Sequence, residues 1–331
     1  MRDIASKRDF SLKRFFLQWE WMLALIIIIV FIINTNISPY FLSGKGLINA
    51  TSTFLDKAFL VLPMTFIIIL GDIDISVAST VALSSVIMAV AYNAGLPMPL
   101  AIILCLVVST LCGLFNGYLI VKFKELSAVI VTLSTMIIYR GIAYVILENQ
   151  ASGGFPSWFN YLGWGKVGSI PFILIVFVIF AIIFTLLLHK TTFGRRLYGM
   201  GNNITASHFS GVLVDKMKII VFTMTGLMAG ITSLFLTSRM GSTRPNIANA
   251  YELDIIAMVV LGGVSTAGGK GRMIGTIMAV FLIGYLRYGL GLINIPSQTL
   301  LVIVGLLLIF AVTVPNLSAK LKDKFKKRAL R

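Results

Sequence analysis

The chain has 331 residues, of which 58% are hydrophobic and 12% are charged, about half the charged share of a soluble globular protein. This composition excludes a soluble globular domain as the main structure, because the chain has too few polar residues to cover so large a hydrophobic core. The formal net charge of +16 does not indicate nucleic-acid binding, since the basic residues fall in short clusters between apolar segments.

Apolar segments follow one another along the chain, each long enough to cross a hydrocarbon core of about 30 Å as a helix of about 20 residues. They predict ten transmembrane helices, at residues 20–36, 55–71, 73–92, 98–121, 127–147, 170–188, 217–237, 252–266, 272–291 and 297–314. The short segment 252–266 and the junction near Gly71 are candidates for broken or re-entrant structure. We predict an all-α integral membrane protein.

The distribution of Lys and Arg predicts that both termini are cytoplasmic. With the N-terminus inside, 21 of the 28 basic residues fall on the inner side. The chain divides into a basic, amphipathic N-terminus (1–19), one transmembrane domain (20–314) and a basic tail (315–331). The first apolar segment is an uncleaved span rather than a signal peptide, because Asn34-Thr35-Asn36 follows it in place of small residues. We predict a multi-pass protein of the cytoplasmic membrane, in contact with its lipid.

Two carboxylates, Asp72 and Asp74, lie at the junction between the second and third predicted spans. A carboxylate within a bilayer costs several kcal/mol unless it is paired or hydrated, so both are candidates for a polar pathway. The alternative is that both lie at the water boundary and cap the helix 73–92, where negative charge is favourable.

Hydroxyl side chains recur at helical spacing on two predicted spans. They are Ser76, Thr80 and Ser84 on one span and Thr132, Thr135 and Tyr139 on the other. Such stripes suit a hydrated path for a polyhydroxylated substrate, but they also link membrane helices to one another. Asn116 has the same two interpretations, because it lies within the close-packing motif Gly113 to Gly117; Gly226 to Gly230 and Gly271 to Gly275 repeat that spacing. The pathway candidates are Asp72, Asp74, Ser76, Asn116, Thr132 and Thr135.

No catalytic residue, cofactor or metal site is predicted in this chain. Gly269-Lys270 fails the phosphate-loop pattern, since Val264 stands where the first glycine is needed and Gly271 where Ser or Thr is needed. The two histidines and two cysteines match neither a zinc site nor a metalloprotease motif. If ATP drives the function, another polypeptide must hydrolyse it.

Four blocks of sequence, in order, resemble the permease subunits of ribose-, xylose- and galactose-type ABC importers. They are GDIDISVAS at 71–79, IVTL with YRG at 130–141, GRRLY with GN at 194–211, and ELDIIAMVVLGG with GGKG at 252–271. The chain departs from that family at Asp72 and Ala78, where the family usually has glycine, and these departures bear on the substrate more than on the fold. Residues 153–156 and 241–246 resemble branches that handle rhamnose or the signalling sugar autoinducer-2.

The resemblance implies a type II-like ABC permease bundle that forms the path for a sugar, whether a pentose, a rhamnose-like sugar or autoinducer-2. It implies three partners, namely a second permease subunit in a homodimer or heterodimer, a cytoplasmic ATPase that holds ATP and Mg²⁺, and an extracytoplasmic sugar-binding protein. It also implies that the loop 194–211 docks on the ATPase, and its glycines suit a short helix between hinges. The implied coupling residues are Gly194, Arg195, Arg196, Gly201, Asn202, Ala206, Ser210 and Gly211. The two arginines have an alternative role as topology signals.

Other functions stay open at this stage. A branched-chain amino-acid ABC permease would require a partner that binds zwitterions. A proton-coupled secondary carrier would use Asp74 or Arg140 as a relay and would transport without an ATPase. A membrane enzyme is disfavoured, because no catalytic constellation is visible.

Overall fold

The computed structural model describes residues 19–296 and, beyond them, residues 299, 302, 303, 305, 306 and 309. Within this part of the chain, seven helices are long and apolar enough to cross a membrane, which confirms the all-α membrane class. The predicted span 297–314 lies mostly outside the described residues. The tail 315–331 and the N-terminal segment before Trp19 lie outside them entirely.

The chain forms helices joined by short connections and two small pairs of strands. In order, the helices are α1 (Trp19–Ile37), α2 (Gly44–Leu70), α3 (Val77–Asn93), α4 (Met98–Lys122), α5 (Ala128–Leu147), α6 (Asn160–Trp164), α7 (Phe172–Lys190), α8 (Thr192–Asn202), α9 (Ile204–Phe209), α10 (Val214–Met240), α11 (Tyr251–Leu261) and α12 (Met273–Gly291). The strands are β1 (Ser152–Gly153), β2 (Lys166–Val167), β3 (Ile170–Pro171) and β4 (Ser242–Thr243), and a 3₁₀ turn covers Ser157–Phe159.

Three predicted span boundaries are wrong. Helix α2 begins at Gly44 rather than at residue 55, because its polar first half finds partners inside the bundle; Thr51 Oγ1, for example, lies 2.9 Å from Tyr285 Oη. Helix α3 begins at Val77 rather than at residue 73, and α11 ends at Leu261 rather than at residue 266. A hydropathy window averages over neighbouring residues, so it does not locate the exact residue at which a helix begins or ends.

The core lies around α2 and α3, which are almost wholly buried by the other helices. Helices α4 and α10 cross closely, since a Cβ atom on Gly113 would lie 2.8 Å from Gly226 Cα. The predicted close crossing at these glycines is therefore confirmed. Gly271 does not belong to such a motif, because α12 begins only at Met273.

The connection between α10 and α11 folds back into the bundle. Its strand β4 pairs antiparallel with β1, with Ser152 opposite Thr243. Arg140 on α5 then donates from Nη1 to the carbonyl oxygens of Pro245 and Ile247, at 2.6 and 2.8 Å. These bonds hold the residues that lead into the short helix α11.

Candidate functional site

The chain leaves helical conformation between α2 and α3, at residues 71–76. Gly71 ends α2 with a φ of +87°, in the left-handed region that favours glycine. The hydroxyl of Thr132, on α5, accepts a hydrogen bond from Ile75 N at 3.2 Å and lies 3.3 Å from Ile73 O. Backbone groups inside a membrane protein must find partners within the protein, so Thr132 stabilises this break.

Four side chains form a continuous hydrogen-bonded chain next to the break, which we call the polar chain: Asp74, Ser76, Asn116 and Tyr139. Asp74 Oδ1 accepts from Ser76 N at 2.8 Å and from Ser76 Oγ at 2.7 Å. Asn116 Nδ2 donates to Ser76 Oγ at 2.7 Å, and Tyr139 Oη donates to Asn116 Oδ1 at 3.0 Å. All four are buried. The polar chain therefore connects the break to α4 and α5.

The polar chain contains three of the six predicted pathway residues and one that the prediction left out. Asp74, Ser76 and Asn116 belong to it, and Thr132 lies beside it. Tyr139 is the addition, and the hydroxyl stripe on its span was the signal that could have identified it. The hydroxyl and amide groups of the polar chain can exchange partners readily with water or with a substrate hydroxyl. Each hydrogen bond between such neutral groups contributes only about 1 kcal/mol net.

The other two predicted pathway residues lie outside the polar chain. Thr135 is buried, and its Oγ1 bonds to Thr132 O within its own helix, at 3.2 Å. Asp72 forms an ion pair with Lys218 on α10, with Oδ2 and Nζ 2.6 Å apart. The capping alternative does not describe Asp74 either, because the helix N-cap is Ser76 and Asp74 bonds to that residue.

A cavity of about 530 Å³ lies at the end of the bundle that carries α8 and α9. Asp72 and Lys218 line it together with a second ion pair, Lys124 and Asp215, whose Nζ and Oδ2 are 3.2 Å apart. The first pair is largely buried, at 15% exposure for each side chain, whereas the second is exposed at 71% and 52%. Solvent screens the second pair much more strongly than the first.

The loop 194–211 forms two short helices, α8 and α9, where its glycine pattern predicted one short helix between hinges. Leu197 and Met200 face inward and are buried, while Arg195 and Arg196 face outward. Of the other predicted coupling residues, Gly194 is buried, Gly201 and Asn202 form the last turn of α8, and Ala206, Ser210 and Gly211 are exposed around α9.

Two large apolar side chains, one at the end of α9 and one just after it, are exposed. Phe209 is 84% exposed and Leu213 is 66% exposed. They lie in the same stretch of sequence as the outward arginines, and Phe209 lines the cavity near α9. Neither residue was among the predicted coupling residues, although an apolar residue inside a polar loop is a visible signal.

A second buried polar group lies on the opposite side of the bundle, where α10 and α12 end; we call it the charge cluster: Asp56, Lys57, Arg239, Asp254 and Arg287. Arg239 Nη2 lies 2.6 Å from Asp56 Oδ2. Lys57 Nζ lies 2.7 Å from Asp254 Oδ2, and Arg287 Nη2 lies 2.5 Å from Asp254 Oδ1. These ion pairs tie α11 to α2 and α12, and α10 to α2.

The charge cluster was not predicted. Lys57 is buried inside α2, with its Nζ 4.7 Å from the centre of the Tyr251 ring. Lys57 and Asp254 are 197 residues apart in sequence, so no local pattern indicated their pairing. Charges within membrane helices are rare and usually paired, as they are here.

Comparison with known proteins gives a family and close relatives. Residues 46–312 match the family described as the permease component of the branched-chain amino acid transport system. The chain is 35% identical over 307 residues to the autoinducer 2 import system permease protein of Escherichia coli strain K12. The aligned region covers 91% of this chain and 92% of that protein. The same protein from Shigella flexneri matches with the same identity and coverage. No solved structure matches the chain significantly.

Proposed function

Because this chain belongs to the family of branched-chain amino acid transport system permease components, we propose that its polar chain lines the path of a sugar through the membrane. The chain is a permease subunit of an ABC importer and a multi-pass protein of the cytoplasmic membrane. Transport needs differential affinity along a path rather than covalent chemistry. The observation that carries the proposal is the break at residues 71–76 with the polar chain beside it, since irregular backbone inside a membrane protein is tolerated where it is buried in protein or lines a cavity.

Autoinducer-2 is the proposed substrate, because both relatives are permease proteins of autoinducer 2 import systems. The polar chain supports a neutral, hydroxyl-rich substrate over the amino acids named in the family description. An amino-acid zwitterion needs both a cation and an anion to replace water around its charges. The polar chain supplies hydroxyl and amide groups and one carboxylate, Asp74, which suits sugar hydroxyls better.

The proposed topology has ten spans and cytoplasmic termini. Seven long helices, the shorter α3 and α11, and the predicted span 297–314 make up the ten. An even number of spans returns the chain to the side on which it began. That side carries 21 of the 28 basic residues, as the positive-inside rule requires. The domain boundaries at residues 19 and 314 follow from this topology.

The proposed ATPase subunit docks on the surface formed by α8 and α9. Arg195 and Arg196 supply outward positive charge there, and Phe209 and Leu213 supply outward apolar area. ATP and Mg²⁺ bind to that partner. A second permease subunit and an extracytoplasmic sugar-binding protein complete the assembly.

Movement of the ATPase switches the bundle between outward and inward access in this scheme. The polar chain is suited to such a switch, because its members exchange hydrogen-bond partners at small cost. Asp72, Thr132 and Thr135 remain pathway candidates; Thr132 acts through the backbone of the break, and Asp72 lines the cavity near α9.

The proposal is tested by uptake of labelled autoinducer-2 into proteoliposomes that hold this chain, its candidate ATPase and its candidate binding protein. Uptake should require ATP and all components, and ribose or rhamnose should compete more weakly than unlabelled autoinducer-2. A parallel reaction with labelled leucine separates the sugar from the amino-acid alternative.

Two results would contradict the proposal. ATP-dependent uptake of leucine without uptake of any sugar would identify an amino-acid permease. Uptake by this chain alone, driven by a proton gradient, would identify a secondary carrier.

A further inference from the structure

Four glycines bring the end of α8, the end of α2 and the turn before α12 into direct backbone contact; we call them the glycine junction: Gly71, Gly201, Gly268 and Gly269. Gly269 N donates a hydrogen bond to Ile69 O at 2.8 Å. A Cβ atom on Gly268 would lie 2.9 Å from Gly201 O and 3.2 Å from Gly71 Cα. Three segments that are distant in sequence therefore meet at one point.

Gly201 is the residue that allows this approach. A Cβ atom at its position would overlap Ile69 O and Gly269 N, both of which are backbone atoms. Gly199, two residues earlier on the same helix, offers a contrast, because among the described residues a Cβ atom there would meet a side-chain atom, Ser207 Oγ, at 3.3 Å and no backbone. The close contact thus depends on one glycine of α8 and not on a general need for small residues.

Side chains of α8 reinforce the junction from both sides. Asn202 Nδ2 donates to Tyr198 O at 2.8 Å and reaches Gly269 O at 3.5 Å. Tyr198 Oη donates to Gly271 O at 2.7 Å, and burial raises the pKa of that hydroxyl above its ordinary value. Helix α8 is therefore fixed to the turn at residues 268–271.

We propose that the glycine junction transmits displacement of α8 to the break at residues 71–76, and through Asp74 to the polar chain. This inference rests on the proposed function, in which the ATPase moves α8. Contacts between backbone atoms contain no flexible side chain that could absorb the displacement, and packed interiors transmit strain. Gly71 connects the junction directly to the break, so a shift of Gly201 reaches Asp74 within four residues of chain.

The test compares Gly201→Ala with Gly199→Ala in the proteoliposomes described above, with labelled autoinducer-2 as the probe. Both variants gain the same helix propensity, and only the first overlaps backbone. The measured quantity is the number of sugar molecules imported per ATP hydrolysed by the assembled complex. Gly201→Ala should lower this ratio at least about tenfold, whereas Gly199→Ala should stay within about twofold of wild type.

A role in folding alone would lower uptake, ATP hydrolysis and complex yield together and leave the ratio unchanged, which would overturn the proposal. If Gly201→Ala does not assemble, Asn202→Ala tests the proposal instead. This variant adds no atoms to the junction and removes the hydrogen bond to Gly269 O. Its ratio should fall about threefold, and an unchanged ratio would overturn the proposal.

Wild-type vesicles without ATP-dependent uptake would contradict the proposed function itself. A normal wild type with an unaltered Gly201→Ala ratio would contradict the proposal about the glycine junction alone.

Discussion

The charge cluster and the polar chain are both buried among membrane helices, but they are built from different chemistry. The charge cluster joins formal charges at 2.5 to 2.7 Å, whereas the polar chain joins hydroxyl and amide groups and a single carboxylate at 2.7 to 3.0 Å. Breaking a buried ion pair costs about 3–5 kcal/mol, while a neutral hydrogen bond contributes about 1 kcal/mol net. The charge cluster therefore suits a fixed anchor for α11, and the polar chain suits contacts that change during transport.

The largest expected effect comes from removing the central carboxylate of the charge cluster. Asp254→Ala leaves the buried Lys57 and the partly exposed Arg287 without the partner they share. We expect a loss of about 3–5 kcal/mol in the free energy of unfolding, measured by thermal denaturation of the purified protein in lipid nanodiscs.

Asp215→Ala is the matched control for that experiment. Its ion pair with Lys124 is exposed, so its removal should cost less than about 1 kcal/mol. Equal melting temperatures for the two variants would show that the charge cluster is not an anchor.

Asn116→Ala breaks the middle of the polar chain. Ser76 Oγ loses a donor and Tyr139 Oη loses an acceptor, at a cost of about 1–3 kcal/mol. We expect sugar uptake to fall about tenfold with a smaller loss of thermal stability than for Asp254→Ala. Thr110→Val on the same helix is the control, because the Thr110 hydroxyl bonds to Leu106 O one turn away within its own helix. If Asn116→Ala lowered the melting temperature as much as Asp254→Ala but left sugar uptake normal, the comparison would be reversed.

The ion pairs of the cavity near α9 provide an intermediate case. A double-mutant cycle with Asp72→Asn and Lys218→Met should give a coupling energy of about 1 kcal/mol, while Lys124→Met with Asp215→Asn should give about 0.3 kcal/mol. Burial explains the difference, since the first pair is 15% exposed. The cycles are measured by thermal denaturation, and raising the salt concentration should abolish the weaker coupling first. A larger coupling for the exposed pair would contradict this ranking.

Tyr139→Phe should give the smallest change among the variants of the polar chain. It removes one hydroxyl from the end of the polar chain and leaves the ring in place, at a cost of about 1 kcal/mol. We expect uptake to fall about threefold with an almost unchanged melting temperature. A loss as large as that of Asn116→Ala would mean that the end of the polar chain matters as much as its middle.

Much of the fold was predictable because membrane insertion depends on local composition. Helix α5 was predicted within one residue at its start, where Ser127 Oγ accepts from Ile130 N at 3.4 Å and caps the helix. The start of helix α2 was not predicted, because its first eleven residues are too polar for a hydropathy window to count them as a span. They become helical only through partners such as Tyr285. Contacts that satisfy polar groups from elsewhere in the chain are invisible to a local average.

The candidate site was predictable in part for the same reason. Asp74 and Ser76 are two residues apart and share a local turn, so a sequence motif described them well. Asp72 belongs to the same motif, yet it pairs with Lys218, which only the packing of α10 brings near. Thr135 shares a helical stripe with Thr132, but only Thr132 meets the break.

The sequence by itself determined that this chain is a helical membrane protein, where most of its spans lie, and which family of permeases it resembles. Those properties depend on the transfer of consecutive side chains into hydrocarbon, and each segment carries that information itself. The tertiary structure decided which buried charges are paired, where α2 gives way to the break, and that glycines of three segments meet at one junction. Those features depend on atoms far apart in sequence, such as Lys57 and Asp254, whose meeting is set by how the helices pack.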